Sequence, residues 1–105
     1  MLIQVNTDSE TRGTEALTLT VQALIEDKFA RFADRITRVE VHLNDENSAA
    51  KGGGIDKRCM IEVRLAGRDP MSATDRGASH DQALRGAITK MQSKLDAVIG
   101  KLGRA

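Results

Sequence analysis

Lys90, Lys94 and Lys101 are spaced by four and seven residues, and Lys28, Arg31 and Arg35 by three and four. Cations at these intervals line up along one side of a helix, because each residue turns the chain by about 100°. Such a stripe grips a sugar–phosphate backbone by charge and shape, without reading base edges. The plainer reading is a solvated helix face, and spacing alone leans slightly toward it.

Other chemistry-bearing residues lead less far. The stretch "NDENSAAKGGGIDKRCM", residues 44–60, combines acids, a triple glycine, a lysine and the only cysteine. A phosphate-cradling loop needs its lysine after the glycines and a helix behind it. Here Lys51 precedes Gly52–Gly54 and a strand-like run follows. Asp45, Glu46 and Asp56 lack the ligand spacing of a calcium loop. A solvated, mobile hairpin connection is the expectation, with Lys51, Lys57 and Arg58 as non-specific cations. Cys59 falls on the inward side of an alternating run, as a small buried apolar residue would. His42 stands outward beside Glu40 and Arg38, and His80 sits in a helix first turn near Asp81. Neither has a nucleophile or ligand set placed by sequence. No paired carboxylates, oxyanion-type turn or metal cluster stands out, so no catalytic residue, metal or cofactor is expected.

Composition narrows the field further. Lys and Arg total 16 against 15 Asp and Glu, a net charge of +1, so a polyanion partner must be held by where the cations sit. Phe29 and Phe32 are the only aromatics, which leaves almost nothing to stack on nucleobases. One cysteine excludes an internal disulfide framework and suits a reducing cytosol. The start "MLIQVNTDSE" has neither the basic opening nor the apolar run of a signal peptide. No apolar run approaches the roughly 20 residues of a membrane span. The expected setting is cytoplasmic, with no membrane and no small-molecule substrate as partner.

The elements that must carry the cations are legible as changes of period. "MLIQVN" alternates, with Ile3 and Val5 on one side, and reads as a short strand. "TDSETRG" is a polar turn, and Thr14 a helix N-cap. Leu17, Val21, Leu24, Ile25, Phe29 and Phe32 then recur at three- and four-residue steps, predicting a helix from Glu15 to Ala33. "RITRVEVHLN" turns Val39, Val41 and Leu43 inward, and "KRCMIEVRLAG" does the same with Cys59, Ile61, Val63 and Leu65. "GRDPM" is a turn, and "MSATDR" a further strand. "SHDQ" reads as a capping box of Ser79 and Gln82. Leu84, Ile88, Met91, Leu95, Val98 and Leu102 step by 4, 3, 4, 3 and 4, predicting a second helix to about Lys101. "GRA" frays at the end.

Strands with one apolar face and helices with one apolar stripe combine most simply as one sheet with both helices on the same side. The expectation is an α+β domain over 1–105, order β-α-β-β-β-α, with a four-stranded mixed sheet. The first two strands should be parallel through a right-handed crossover, and the last three should meander.

These residues carry a resemblance. "TEAL", "RITRVEVHLNDEN", "DKRCMIEVRLAGRDP" and "DQALRGAITKMQSKL" together resemble the ribosome hibernation-promoting factor and protein Y family, also called ribosome-associated inhibitors or sigma-54 modulation proteins. The resemblance implies a β-α-β-β-β-α fold, similar to a double-stranded-RNA-binding domain with an extra leading strand. It implies a non-enzymatic factor that occupies the mRNA and tRNA sites of the small ribosomal subunit, through a basic surface from the helices, in stationary phase or stress. Lys28 and Arg31 match basic positions of the family's first helix, and Lys90 matches the lysine of its "KL" step, here "KM". Where many relatives continue with a dense basic run, this chain has Ser93, Asp96 and Ala97, with Lys94, Lys101 and Arg104 as partial substitutes. The resemblance is to short forms, without the C-terminal dimerisation domain of long ones. The rRNA-binding set is therefore Lys28, Arg31, Arg35, Lys90, Lys94 and Lys101. The competing reading is a protein-interaction domain of the same fold, with weak or no RNA binding, that uses an exposed sheet edge. A weak homodimer would form through the same edge.

Overall fold

The computed structural model describes residues 1–8, 14–45 and 57–102, with the side chains of Thr14 and Leu102 left out. The polar turn over 9–13, the hairpin connection over 46–56, the Thr14 cap and the terminal residues with Arg104 lie outside the described residues. Along the chain run β1 (Leu2–Thr7), α1 (Thr14–Lys28), a single 3-10 turn (Ala30–Phe32), β2 (Ile36–Asp45), β3 (Lys57–Leu65), β4 (Met71–Gly77) and α2 (His80–Leu102). The sheet order is β1-β2-β3-β4, with β1 and β2 parallel and the other two pairs antiparallel. This is the α+β order read from the changes of period.

Register explains the single core. Ile3 faces Val39 and Val63, Val5 faces Val41 and Ile61, and Thr7 faces Leu43 and Cys59 across the first three strands. Ala73 extends the row beyond Ile61. Val21 and Ile25 of α1, Phe29 just after it, and Leu84, Ile88, Met91 and Leu95 of α2 close over this face, all buried. Each such aliphatic side chain contributes about 1.5–3 kcal/mol on burial. Cys59 lies within the core, and burial pushes its thiol up to about 12. It is a packing residue rather than a nucleophile.

The first helix ends earlier than its periodicity predicts. After Lys28 the chain tightens, with N–H groups of Phe32, Ala33 and Arg35 donating to the carbonyls of Phe29, Ala30 and Phe32, at 2.9, 3.2 and 2.9 Å. Three residues per turn put Phe29 and Phe32 on one side, and their buried rings meet edge to face at 6.5 Å. The α-helical spacing of Lys28, Arg31 and Arg35 therefore does not continue as one helix face.

Ile36 is a second departure. It pairs with Leu65, while Arg38 pairs with Arg64, so a bulge at Thr37 shifts the register. The bulge lets Ile36 and Val39, three residues apart, both reach the core. The Thr37 hydroxyl donates to the Arg64 carbonyl at 3.0 Å across it. The turn into β4 closes with the Arg68 N–H on the Leu65 carbonyl at 3.1 Å. Gly67, at φ 74°, supplies the positive angle that this type II arrangement needs. At the start of α2 the Gln82 N–H donates to the Ser79 hydroxyl at 3.1 Å. The Gln82 side chain accepts from Ala78 N–H at 3.0 Å, one residue earlier than in the usual capping box.

Candidate nucleic-acid interface

All six candidate cations are exposed and belong to the helical layer. Lys28 ends α1, Arg31 lies in the 3-10 turn and Arg35 in the turn before β2. Lys90, Lys94 and Lys101 belong to α2. The fold does not gather them into one stripe; it divides them between the two flanks of α2.

On the flank facing α1, the Gln92 side-chain amide donates to the Lys28 carbonyl at 3.0 Å, joining the two helices. One turn on, Arg31 and Asp96 form a two-pronged pair at 2.5 and 3.0 Å. The pair is open to solvent, with side chains 58% and 53% exposed. Arg31 also lies over the Phe32 ring at 4.2 Å. The hydrogen bonds from Arg31 hold the Asp96 carboxyl below the usual carboxylate range and raise the guanidinium in return. Glu26, Asp27 and Asp34 are exposed and stand close to Lys28, Arg31 and Arg35 in sequence.

On the flank facing β4, Lys90 and Lys94 lie back over the last strand. Two residues along a helix turn a side chain by about 160° the short way round, so Lys90 and Lys94 point away from Gln92 and Asp96. The Lys90 ammonium donates to the Thr74 carbonyl at 3.0 Å and approaches the Asp75 carboxylate at 3.4 Å. Lys94 donates to the Ser72 carbonyl. Between helix and strand lies a groove of about 610 Å³, lined also by Ala73 and Ser93. Lys101 continues this side at the end of α2, exposed.

Asp75 was not anticipated from sequence. It pairs with Cys59 across β3, which puts it on the helix-facing side of the sheet. Its oxygen lies where a side chain at Gly86 would begin: a Cβ there would come within 1.7 Å of Oδ2. The Arg76 N–H, at 2.9 Å, and then Lys90 hold its carboxyl below the usual range, against the pull of burial. A glycine in the helix opposite an inward-parity acid was the available signal, but it reads only once the register is known.

The opposite face of the sheet is charged in alternation. Arg38 pairs with Arg64 and Glu40 with Glu62 across β2 and β3. Arg38 donates to Gln4 at 2.5 Å and to Glu40 at 3.0 Å. His42 is half-buried on this face opposite Met60, and the His80 Nδ1 is buried with no hydrogen-bond partner at the start of α2. Among the described residues no group of three or more His, Cys, Asp or Glu is placed to hold a metal ion. Among them, too, no helix is long and apolar enough to cross a membrane.

Comparison with solved structures shows the same fold in two bacterial proteins. A ribosomal subunit interface protein from Coxiella burnetii is 16% identical and matches with a TM-score of 0.69, over 95% of this chain and 99% of its own. The N-terminal domain of Thermus thermophilus Protein Y is 19% identical, with a TM-score of 0.71, over 93% of this chain and 99% of its own. At these identities the likeness speaks for the fold. A comparison with curated proteins finds no match. The family model described as sigma 54 modulation protein / S30EA ribosomal protein matches residues 11–102, nearly the whole chain. The chain belongs to this family of ribosome-associated, non-enzymatic factors.

Proposed function

We propose that this chain binds the small ribosomal subunit through rRNA phosphates near the mRNA and tRNA sites, and so inhibits translation in stationary phase or stress. Its setting is the cytoplasm, and it acts as a single domain over 1–105 without a cofactor. The observation that carries this reading, beside family membership, is the run Lys90, Lys94 and Lys101 on α2. Three exposed ammonium groups share one flank of one helix, and the same stretch of that helix carries one acid, Asp96. Asp96 is turned to the other flank and engaged with Arg31. Lys28, Arg31 and Arg35 extend the contact on the α1 side, where Asp96 competes with phosphate for Arg31.

The interaction-domain alternative draws on the near-neutral net charge of +1. It needs a free sheet edge, and on β4 two carbonyls already accept from lysines. Phosphate binding is the better use of the helical layer. The test is co-sedimentation with purified small subunits over a salt series. Binding should weaken with salt on a log–log slope steeper than about −2, as several phosphate contacts require. Charge reversal in K90E/K94E should lower affinity at least about tenfold at moderate salt, since each lost contact removes its counterion-release contribution. Unchanged binding would remove this surface. Capture of a defined protein without rRNA would favour the alternative.

A further inference from the structure

β4 ends the sheet, and an edge strand presents a row of backbone groups on which another strand can form. Alternate residues of an antiparallel strand turn both backbone groups outward, and here the lysine contacts mark Ser72 and Thr74 as that set, with Arg76 next. Four features meet the row. Pro70, just before the strand, has no N–H to offer. The Ser72 carbonyl accepts from Lys94 and the Thr74 carbonyl from Lys90. The Arg76 N–H donates to its neighbour's carboxylate, Asp75.

The match of helix to strand is geometric. Four helix residues rise about 6 Å, and two strand residues advance about 6.6 Å. Lysines at i and i+4 on a helix running antiparallel to a strand therefore reach successive outward carbonyls. The order observed is the one this requires: 90 with 74, and 94 with 72. Both lysines line the groove between α2 and β4, and their ammonium groups take the two carbonyls that an added strand would need.

We propose that Lys90 and Lys94 form a clip that closes the β4 edge against strand addition by a second copy of this chain. The second copy is the relevant intruder for two reasons. A β4 edge related to itself by a two-fold axis is automatically antiparallel and in register with itself. A net charge of +1 also gives copies little long-range repulsion to keep them apart. The clip goes beyond the rRNA reading and stands without it.

Its test uses the whole chain without RNA, in sedimentation velocity over a concentration series. K90A/K94A removes both donors without adding a large apolar group, and should self-associate at least about tenfold more tightly than the unaltered chain. K101A, which removes a lysine of the same helix beyond β4, should behave as the unaltered chain does. Adding T74P to K90A/K94A removes the outward N–H at the centre of the edge, a change that edge strands tolerate, and should return the protein to the monomer. The proposal is overturned if K90A/K94A associates no more than the unaltered chain, or if its dimer survives T74P. Should K90A/K94A lose its far-ultraviolet circular dichroism, K94A alone is read by the same two outcomes.

Discussion

On the flank of α2 that faces α1, Arg31 meets a carboxylate; on the flank that faces β4, Lys90 and Lys94 meet backbone carbonyls. A phosphate approaching Arg31 must displace an anion that already binds it two-pronged, like for like. At Lys94 the resident partner is a neutral carbonyl, which a charged oxygen outbids. Lys90 is intermediate, with a carbonyl at 3.0 Å and the Asp75 carboxylate at 3.4 Å. The cations most available to a polyanion are thus the ones the fold itself uses. The α1 flank is the reverse: its exposed pair does little for stability and much to withhold one positive charge.

The comparison breaks most visibly at Gly86. Asp75 fits beneath α2 because that position carries no side chain, and an added Cβ would lie 1.7 Å from Oδ2 and 2.7 Å from Cγ. In G86A the carboxylate must shift, which strains the contacts its Oδ1 makes with the Arg76 N–H and Lys90. Overpacking of this kind costs about 1–3 kcal/mol, which over most of that range exceeds the helix gain of roughly 1 kcal/mol on replacing glycine by alanine. Chemical denaturation should therefore show G86A less stable than the unaltered chain. G100A is the matched control in the same helix, with nothing within 4 Å of the new Cβ. It should gain about 0.5–1 kcal/mol. A G86A variant that gains as G100A does would mean that Asp75 moves freely, and the β4 flank would lose its structural character.

The next largest effect is on binding. D96N keeps the shape of the Asp96 side chain and removes its charge, releasing Arg31. Affinity for small subunits should rise several-fold, and the salt slope should steepen by about one phosphate contact. The denaturation midpoint should barely move, because the pair is exposed. D75N should act first on the fold, lowering the midpoint, and raise binding less than D96N does, because Lys90 keeps the nearer Thr74 carbonyl as its partner. If D96N leaves binding unaltered, Arg31 is not part of the interface, and the positive surface reduces to α2.

Much of this was readable before the fold, and the missing part has a physical reason. Val39, Val41 and Leu43, or Leu84, Ile88, Met91 and Leu95, announce their burial because period is a property of one element alone. Spacing likewise placed Lys90 and Lys94 on one side of α2. It had no means of saying that β4 lies on that side and α1 on the other, since this depends on strand order. Arg31 and Asp96 are 65 residues apart, and Lys90 and Thr74 lie on elements of different period. The early end of α1 escaped for another reason. Phe29 and Phe32 satisfy an α-helical and a 3-10 spacing equally, so the apolar pattern runs on where the helix does not. Ile36 escaped because a bulge is an exception to the alternation that defines the strand.

Acid sharpens the contrast with the smallest effect. Asp75 and Asp96 both have folded-state values below the ordinary carboxylate value, the first mainly through the Arg76 N–H and the second through Arg31. A carboxyl depressed in this way adds stability that is fully present above its unfolded value, near 3.9. That stability is lost as pH falls through the lower folded value. Over a descent from about pH 6 to about pH 3, the stability gap between the unaltered chain and D75N should close. The gap for D96N should be small throughout, because its partner is in solvent. A larger closure for D96N than for D75N would reverse the assignment of which flank serves the fold. The clip gives a further check on the same samples. Lys90 loses its carboxylate in acid, but the carbonyls of Thr74 and Ser72 do not titrate, so two of the three lysine contacts persist. The protein should stay monomeric across the whole range in which it remains folded. A dimer appearing as Asp75 takes up its proton would move the guard of the edge from the carbonyls to that one carboxylate.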